Sequence, residues 1–212
     1  MWSPWLTAVP STNKLAVLLI WLALSLPVGA GSDVANGPAH EGVEVAIDLP
    51  LVDHRRNEAG TNGAGLCVWA SLDMAGKWAN VAELRGLWAH MKAQPGGGWP
   101  ERVDKVLAEL APNLPYVQYE GSDMAVLDAA IRTGRAACVT LGYADFYGGQ
   151  TIAHMVLLAH LDKKWAAIID NNDPTHWTWM SREEFRKRWI HPSGKGWAVV
   201  LIAPPPPPPP TN

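Results

Sequence analysis

Asn62-Gly-Ala-Gly-Leu-Cys-Val-Trp-Ala-Ser71 carries a glycine-rich turn straight onto a cysteine at what reads as a helix start. From Cys67 onward, Val68, Leu72, Ala75 and Trp78 or Ala79 recur at three- and four-residue steps, the spacing of one apolar helical face. A helix N-terminus carries partial positive charge and favours thiolate over thiol. Far downstream, His154-Met-Val-Leu-Leu-Ala-His-Leu161 and Trp165-Ala-Ala-Ile-Ile-Asp170 read as strands joined by a tight Asp162-Lys-Lys164 hairpin. His154 and Asp170 are 16 residues apart, which puts the carboxylate beside the imidazole across the ladder. A thiol at a helix start, with an imidazole and a carboxylate on adjacent strands, is the layout of an activated nucleophile.

Each residue also has a plainer reading. Cys67 suits a small buried hydrophobe or half of a disulfide, and Cys138 is its only intramolecular partner. Asp170 opens the turn Asp-Asn-Asn-Asp-Pro, where Asn171 and Asn172 are rival orienting groups for the imidazole. His154, His160 and His176 lack the close spacing of a known zinc ligand set, so metal chemistry ranks below thiol chemistry and no cofactor is expected. Cys138, between Ala137 and Val139 in an apolar strand, reads as a buried free thiol.

The rest of the chain frames this triplet. Its 212 residues support one ordinary domain plus appendages. A charged fraction of 17% and a net charge of −3 give no reason to expect a nucleic-acid or acidic-lipid partner. Twelve Trp against two Phe suits both cores and wet clefts. Residues 1–30 read as a signal peptide: Leu15 to Leu26 is apolar but too short for a comfortable membrane span, Pro27 breaks it, and Val28-Gly29-Ala30 suits cleavage. Uncleaved, residues 15–30 would anchor the chain in a membrane; either way it is exported, to the periplasm or beyond. Residues 31–44 are a polar lead-in, 45–203 the folded domain, and 204–212 a polyproline tail suited to a spacer or a groove ligand.

Within the domain, Val43 to Leu49 alternates like a first strand. Asn80 with Glu83 resembles a capping box for a second helix through Met91, Pro100 opens a third to Leu110, and Ser122 caps a fourth, Met124 to Arg132, closed by Gly134. Strands follow at Tyr116–Tyr119, Ala136–Leu141 and Gly196–Ile202, with Ser181 and Glu184 capping a last helix through Trp189. A helical first half and an antiparallel second half make an α+β domain.

From about Asp48 to Ala203 the chain resembles the papain-like cysteine peptidases, nearest the bacterial group that cleaves double-glycine leaders from bacteriocins. Gly-Leu-Cys67-Val-Trp-Ala-Ser, His154-Met-Val-Leu-Leu with Asp170, and Trp-Met-Ser-Arg-Glu-Glu-Phe-Arg-Lys-Arg-Trp189 carry the resemblance. It implies a two-part fold, a helical half with the nucleophile helix packed on a twisted antiparallel sheet. It also implies catalysis by Cys67 as nucleophile, His154 as base and acid, and Asp170 as orienting group, acting on peptide or isopeptide bonds. The family's oxyanion Gln stands six residues before the cysteine. That position is Thr61 here, and Asn62 is the nearest amide. Gly-Leu-Cys-Val-Trp is also similar to the nucleophile region of cell-wall amidohydrolases, which would act on peptidoglycan peptides. A catalytically inactive binding module on the same scaffold is the non-enzymatic alternative.

Overall fold

The computed structural model describes residues 40–142 and 153–203. The expected signal peptide, most of the expected lead-in, residues 143–152 and the expected polyproline tail lie outside these residues.

The described residues form five α-helices and one six-stranded antiparallel sheet. Helix α1 spans Cys67–Trp78, α2 Leu87–Lys92, α3 Pro100–Leu110, α4 Ala125–Arg132 and α5 Arg182–Trp189. The strands are β1 Tyr116–Gly121, β2 Ala137–Leu141, β3 His154–Leu161, β4 Trp165–Ile169, β5 Thr178–Ser181 and β6 Gly196–Leu201, in the order β1-β6-β2-β3-β4-β5. Every residue of β3 and β6 is buried, as near-continuous apolar runs require.

Helix α1 is the hinge between the layers. Val68 to Gly76 is buried all round, and the helix packs on β3. At its interior Leu72 and Met74 have no exposed surface, each contributing roughly 1.5–3 kcal/mol of burial free energy. The close approach to the Ala82–Leu84 turn depends on Gly76, where an added Cβ would press to 3.1 Å from Leu84. Three tryptophans tie the layers together through their N–H groups. Trp69 donates to the Gly97 carbonyl (3.0 Å), Trp78 to Gly134 (2.7 Å) and Trp197 to Gln118 Oε1 (2.8 Å).

Three sequence-based expectations need correction. Val43 to Leu49 is not a strand. Both edges of β3 are occupied, by β2 and β4, so only Ile47 reaches it, through the Ala159 carbonyl (2.8 Å) at a β-bulge between Leu158 and His160. Asn80 does not start a helix; it ends one. Its φ of +50° and the bond from Val81 N–H to the Gly76 carbonyl (2.9 Å) close α1 in a left-handed cap, and a 3-10 turn at Ala82–Leu84 and the short α2 replace the longer helix. Ser122 does not cap α4; Asp123 Oδ1 accepts from Ala125 N–H at 2.9 Å instead. The second capping box stands as read, with Ser181 Oγ accepting from Glu184 N–H at 3.1 Å.

Candidate active site

Cys67 is the first residue of α1, preceded by Leu66, which offers no side-chain cap. The first N–H groups of a helix have no intrahelical partner and point along the axis toward whatever lies beyond. Here that is a cleft of about 330 Å³ lined by Cys67 and Val68 of α1, by His154 and Met155 of β3, and by Asn57, Gly65, Gly97, Gly98, Thr140 and Trp197 among others. The thiol is half-buried at its floor, whereas Cys138 has no exposed surface; both cysteines are free.

His154 begins β3, and its imidazole Nε2–H donates to Asp170 Oδ1 at 2.8 Å in a buried contact. Asp170 follows the last residue of β4. In the β3–β4 register Leu157 faces Ile169, so Asp170 reaches His154 diagonally, from the ladder position beside Val156. Its Oδ1 also accepts from Asn172 N–H at 2.9 Å, which fixes the carboxylate in the turn. With Nε2 committed to Asp170, the other ring nitrogen serves the thiol, and the imidazole and Cys67 are hydrogen-bonded.

The electrostatics favour an ion pair. Burial pushes the Cys67 thiol up, but the His154 bond and charge, together with the N–H groups of Met155 and Val68, outweigh it and hold the thiol below its ordinary value. Burial alone would lower the His154 pKa. The bond to Asp170 and then the contact with Cys67 carry it the other way, to about 9. Cys138 has no such neighbours, and burial pushes its thiol far up. The thiolate is favoured at Cys67 and disfavoured at Cys138.

The two rival orienting groups do other work. Asn172 points its side chain at Asn57, and Asn171 is fully buried against α1 and β3. Neither bonds the imidazole. Asn62 is outside the cleft lining: its Oδ1 accepts from Gly96 N–H (2.6 Å) and Ala64 N–H (3.2 Å), tying the turn before Cys67 to the glycine loop. Two side-chain amides line the cleft, that of Asn172 and that of Asn57, and Asn57 lies ten residues before Cys67. Asn57 Oδ1 accepts from Leu66 N–H at 2.8 Å, a donor that fixes the orientation of the amide, and its Nδ2 is then turned to Asn172 Oδ1 at 2.9 Å. Nothing in the spacing of the sequence singles out Asn57; only the turn that folds residues 57–66 back on themselves does.

The opposite wall is backbone. Gly97 has φ of +85°, and a Cβ on Gly98 would come within 2.6 Å of Val68 Cβ, so the loop lies flat on Val68, the residue after Cys67. Arg102 holds it there, donating to the carbonyls of Pro95, Gly96 and Gly97. Among the described residues no group of three or more His, Cys, Asp or Glu side chains is arranged to hold a metal ion.

No protein-family model and no curated protein matches the sequence. Among solved structures, the chain is similar to the crystal structure of a candidate C39-like peptidase from Bacillus anthracis, with a TM-score of 0.55 over 76% of this chain and 98% of that one. The fold is papain-like, of the C39-like type. Sequence identity is 13%, so the likeness is one of fold alone. No helix among the described residues is long and apolar enough to cross a membrane.

Proposed function

We propose that this C39-like fold is a cysteine peptidase, an exported thiol hydrolase acting on peptide or isopeptide bonds. The observation that carries the reading is the convergence of Cys67, His154 and Asp170 in one cleft, with a 2.8 Å bond from imidazole to carboxylate and a thiol held below its ordinary pKa. In this mechanism the Cys67 thiolate attacks the scissile carbonyl carbon. The oxyanion that forms takes hydrogen bonds from the Cys67 N–H and from Asn57 Nδ2, which replaces Asn62 in that role. The His154 imidazolium gives its proton to the leaving amine as the C–N bond breaks, leaving a thioester on Cys67. Water then attacks that thioester with His154 as base, releasing the acid and restoring the pair. Asp170 keeps the imidazole in the tautomer and orientation that both steps need.

The cleft's flat glycine wall suits an extended segment with small side chains near the scissile bond. Processing of double-glycine leaders is the substrate class this geometry favours. Export rests on the apolar run Leu15 to Leu26 and the small residues after it. The test is cleavage of a diverse peptide pool, including Gly-Gly-containing members, read by mass spectrometry. New termini with the wild-type protein and none with Cys67→Ala support the reading; no cleavage of any amide contradicts it.

A further inference from the structure

Asn171 is fully buried and takes no part in the chemistry above, yet it touches the chain at every catalytic element. Its Nδ2 lies 3.1 Å from the Cys67 carbonyl and 2.9 Å from Ser71 Oγ, both on α1, and 2.8 Å from the carbonyl of Met155, the residue after His154. Ser71 Oγ in turn donates to the same Met155 carbonyl at 3.1 Å. The Asn171 main-chain carbonyl accepts from Asn57 N–H at 2.6 Å. Asn171 itself follows Asp170 in sequence. One residue therefore joins the nucleophile's first turn, the histidine strand, the carboxylate turn and the segment bearing the cleft amide.

The orientation of this amide is dictated by its surroundings. Two of its three side-chain neighbours are carbonyls that can only accept, so the nitrogen must face them. Among the described residues Oδ1 then has no hydrogen-bond partner, although it is buried. A buried acceptor left unpaired is costly, and an apolar side chain of the same breadth would avoid it. The three acceptors would also survive the exchange. Ser71 still donates to Met155, and the Cys67 carbonyl keeps its place in the helical ladder. Stability alone does not call for an amide here.

We propose that Asn171 is a positioning residue that sets the distance and angle between the Cys67 thiolate and the His154 ring by clamping α1 to β3. The proposal rests on the thiol hydrolase reading. A clamp of this kind acts on geometry that reactions feel steeply: a displacement of about 1 Å costs on the order of 10² in rate.

The experiment is iodoacetamide labelling of Cys67 as a function of pH in the wild type, Asn171→Leu and Ser71→Ala, with thermal melting alongside. A cooperatively folded Asn171→Leu should show its labelling midpoint raised by about one unit, with labelling at pH 6 slowed about tenfold. Ser71→Ala should shift the same way by less, and it decides the matter alone if Asn171→Leu does not fold. A folded Asn171→Leu whose labelling profile superimposes on that of an activated wild type overturns the clamp and leaves the hydrolase reading intact. A wild type that labels as an ordinary thiol, with a midpoint near ~8.5, overturns both.

Discussion

Cys67 and Cys138 border the same hydrophobic core, one at the first residue of α1 and the other in the middle of β2, opposite Leu157 and Val199. Their side chains are identical and their chemistry is not. Around Cys67 the backbone offers N–H groups of Met155 and Val68, and His154 offers a positive ring; around Cys138 every neighbour in the ladder is aliphatic and its own backbone is spent on the sheet. Burial raises the pKa of both thiols, and only at Cys67 is there charge and hydrogen bonding to reverse it. The difference teaches that the fold sets a thiol's acidity by where an element ends. A helix start leaves donors unpaired and a strand interior leaves none.

The contrast is broken most severely by removing the group that orients the ring. Asp170→Asn should lower kcat on any cleaved peptide by roughly 10³–10⁴-fold while the protein still folds, because the amide can hold the wrong tautomer in the same space. The same variant should lose its alkaline tolerance. Asp170 is the first of the contacts that raise His154 to about 9, so without it the imidazolium, and turnover with it, disappears at lower pH. A kcat–pH profile of the variant checks both points.

A second comparison, between two asparagines, has a smaller effect. Asn57→Ala should reduce kcat by about 10²–10³-fold through loss of an oxyanion donor. Asn62→Ala should leave kcat within a few-fold and instead cost about 1–3 kcal/mol of stability, because the buried Gly96 N–H loses its acceptor. Kinetics and melting curves on the pair separate catalysis from scaffolding; the reverse pattern would restore Asn62 to the oxyanion site.

These asparagines also mark where sequence reasoning stopped. His154 at the start of β3 and Asp170 just after β4 are readable because an apolar run, the tight Asp162-Lys-Lys164 hairpin and another apolar run leave little choice of pairing, and the Ser181–Glu184 box is readable because its bonds are local. Counting back from Cys67 gives Thr61 at the family's position and Asn62 as the nearest amide, but distance along a chain is not distance across a turn. The loop bonding Gly60 N–H to the Ala64 carbonyl at 2.8 Å turns Asn62 toward Gly96 and brings Asn57 to the cleft. Asn80 misled for a related reason. A residue that tolerates left-handed backbone serves helix ends as well as helix starts, and only the Val81–Gly76 bond distinguishes them. By sequence Asn171 is a rival orienting group for the ring; its contacts lie with backbone carbonyls of two other elements, which no local pattern encodes.

The smallest effect is expected at the second thiol. Cys138→Ser should leave peptide cleavage unchanged and cost about 1–3 kcal/mol of stability, since a hydroxyl there has a sheet's spent backbone for company. Loss of turnover in a folded Cys138→Ser would end the division of roles between the two thiols.

The most direct test of that division is the pH dependence of alkylation at both cysteines, followed by intact mass and peptide mapping of the folded wild type. The electrostatics at α1 predict one fast adduct at Cys67 that persists well below the ordinary thiol midpoint of ~8.5, with no adduct at Cys138 until the protein is unfolded. Labelling of Cys67 only as the pH approaches that midpoint, or equal labelling of both cysteines in the folded state, would contradict an activated nucleophile in this cleft.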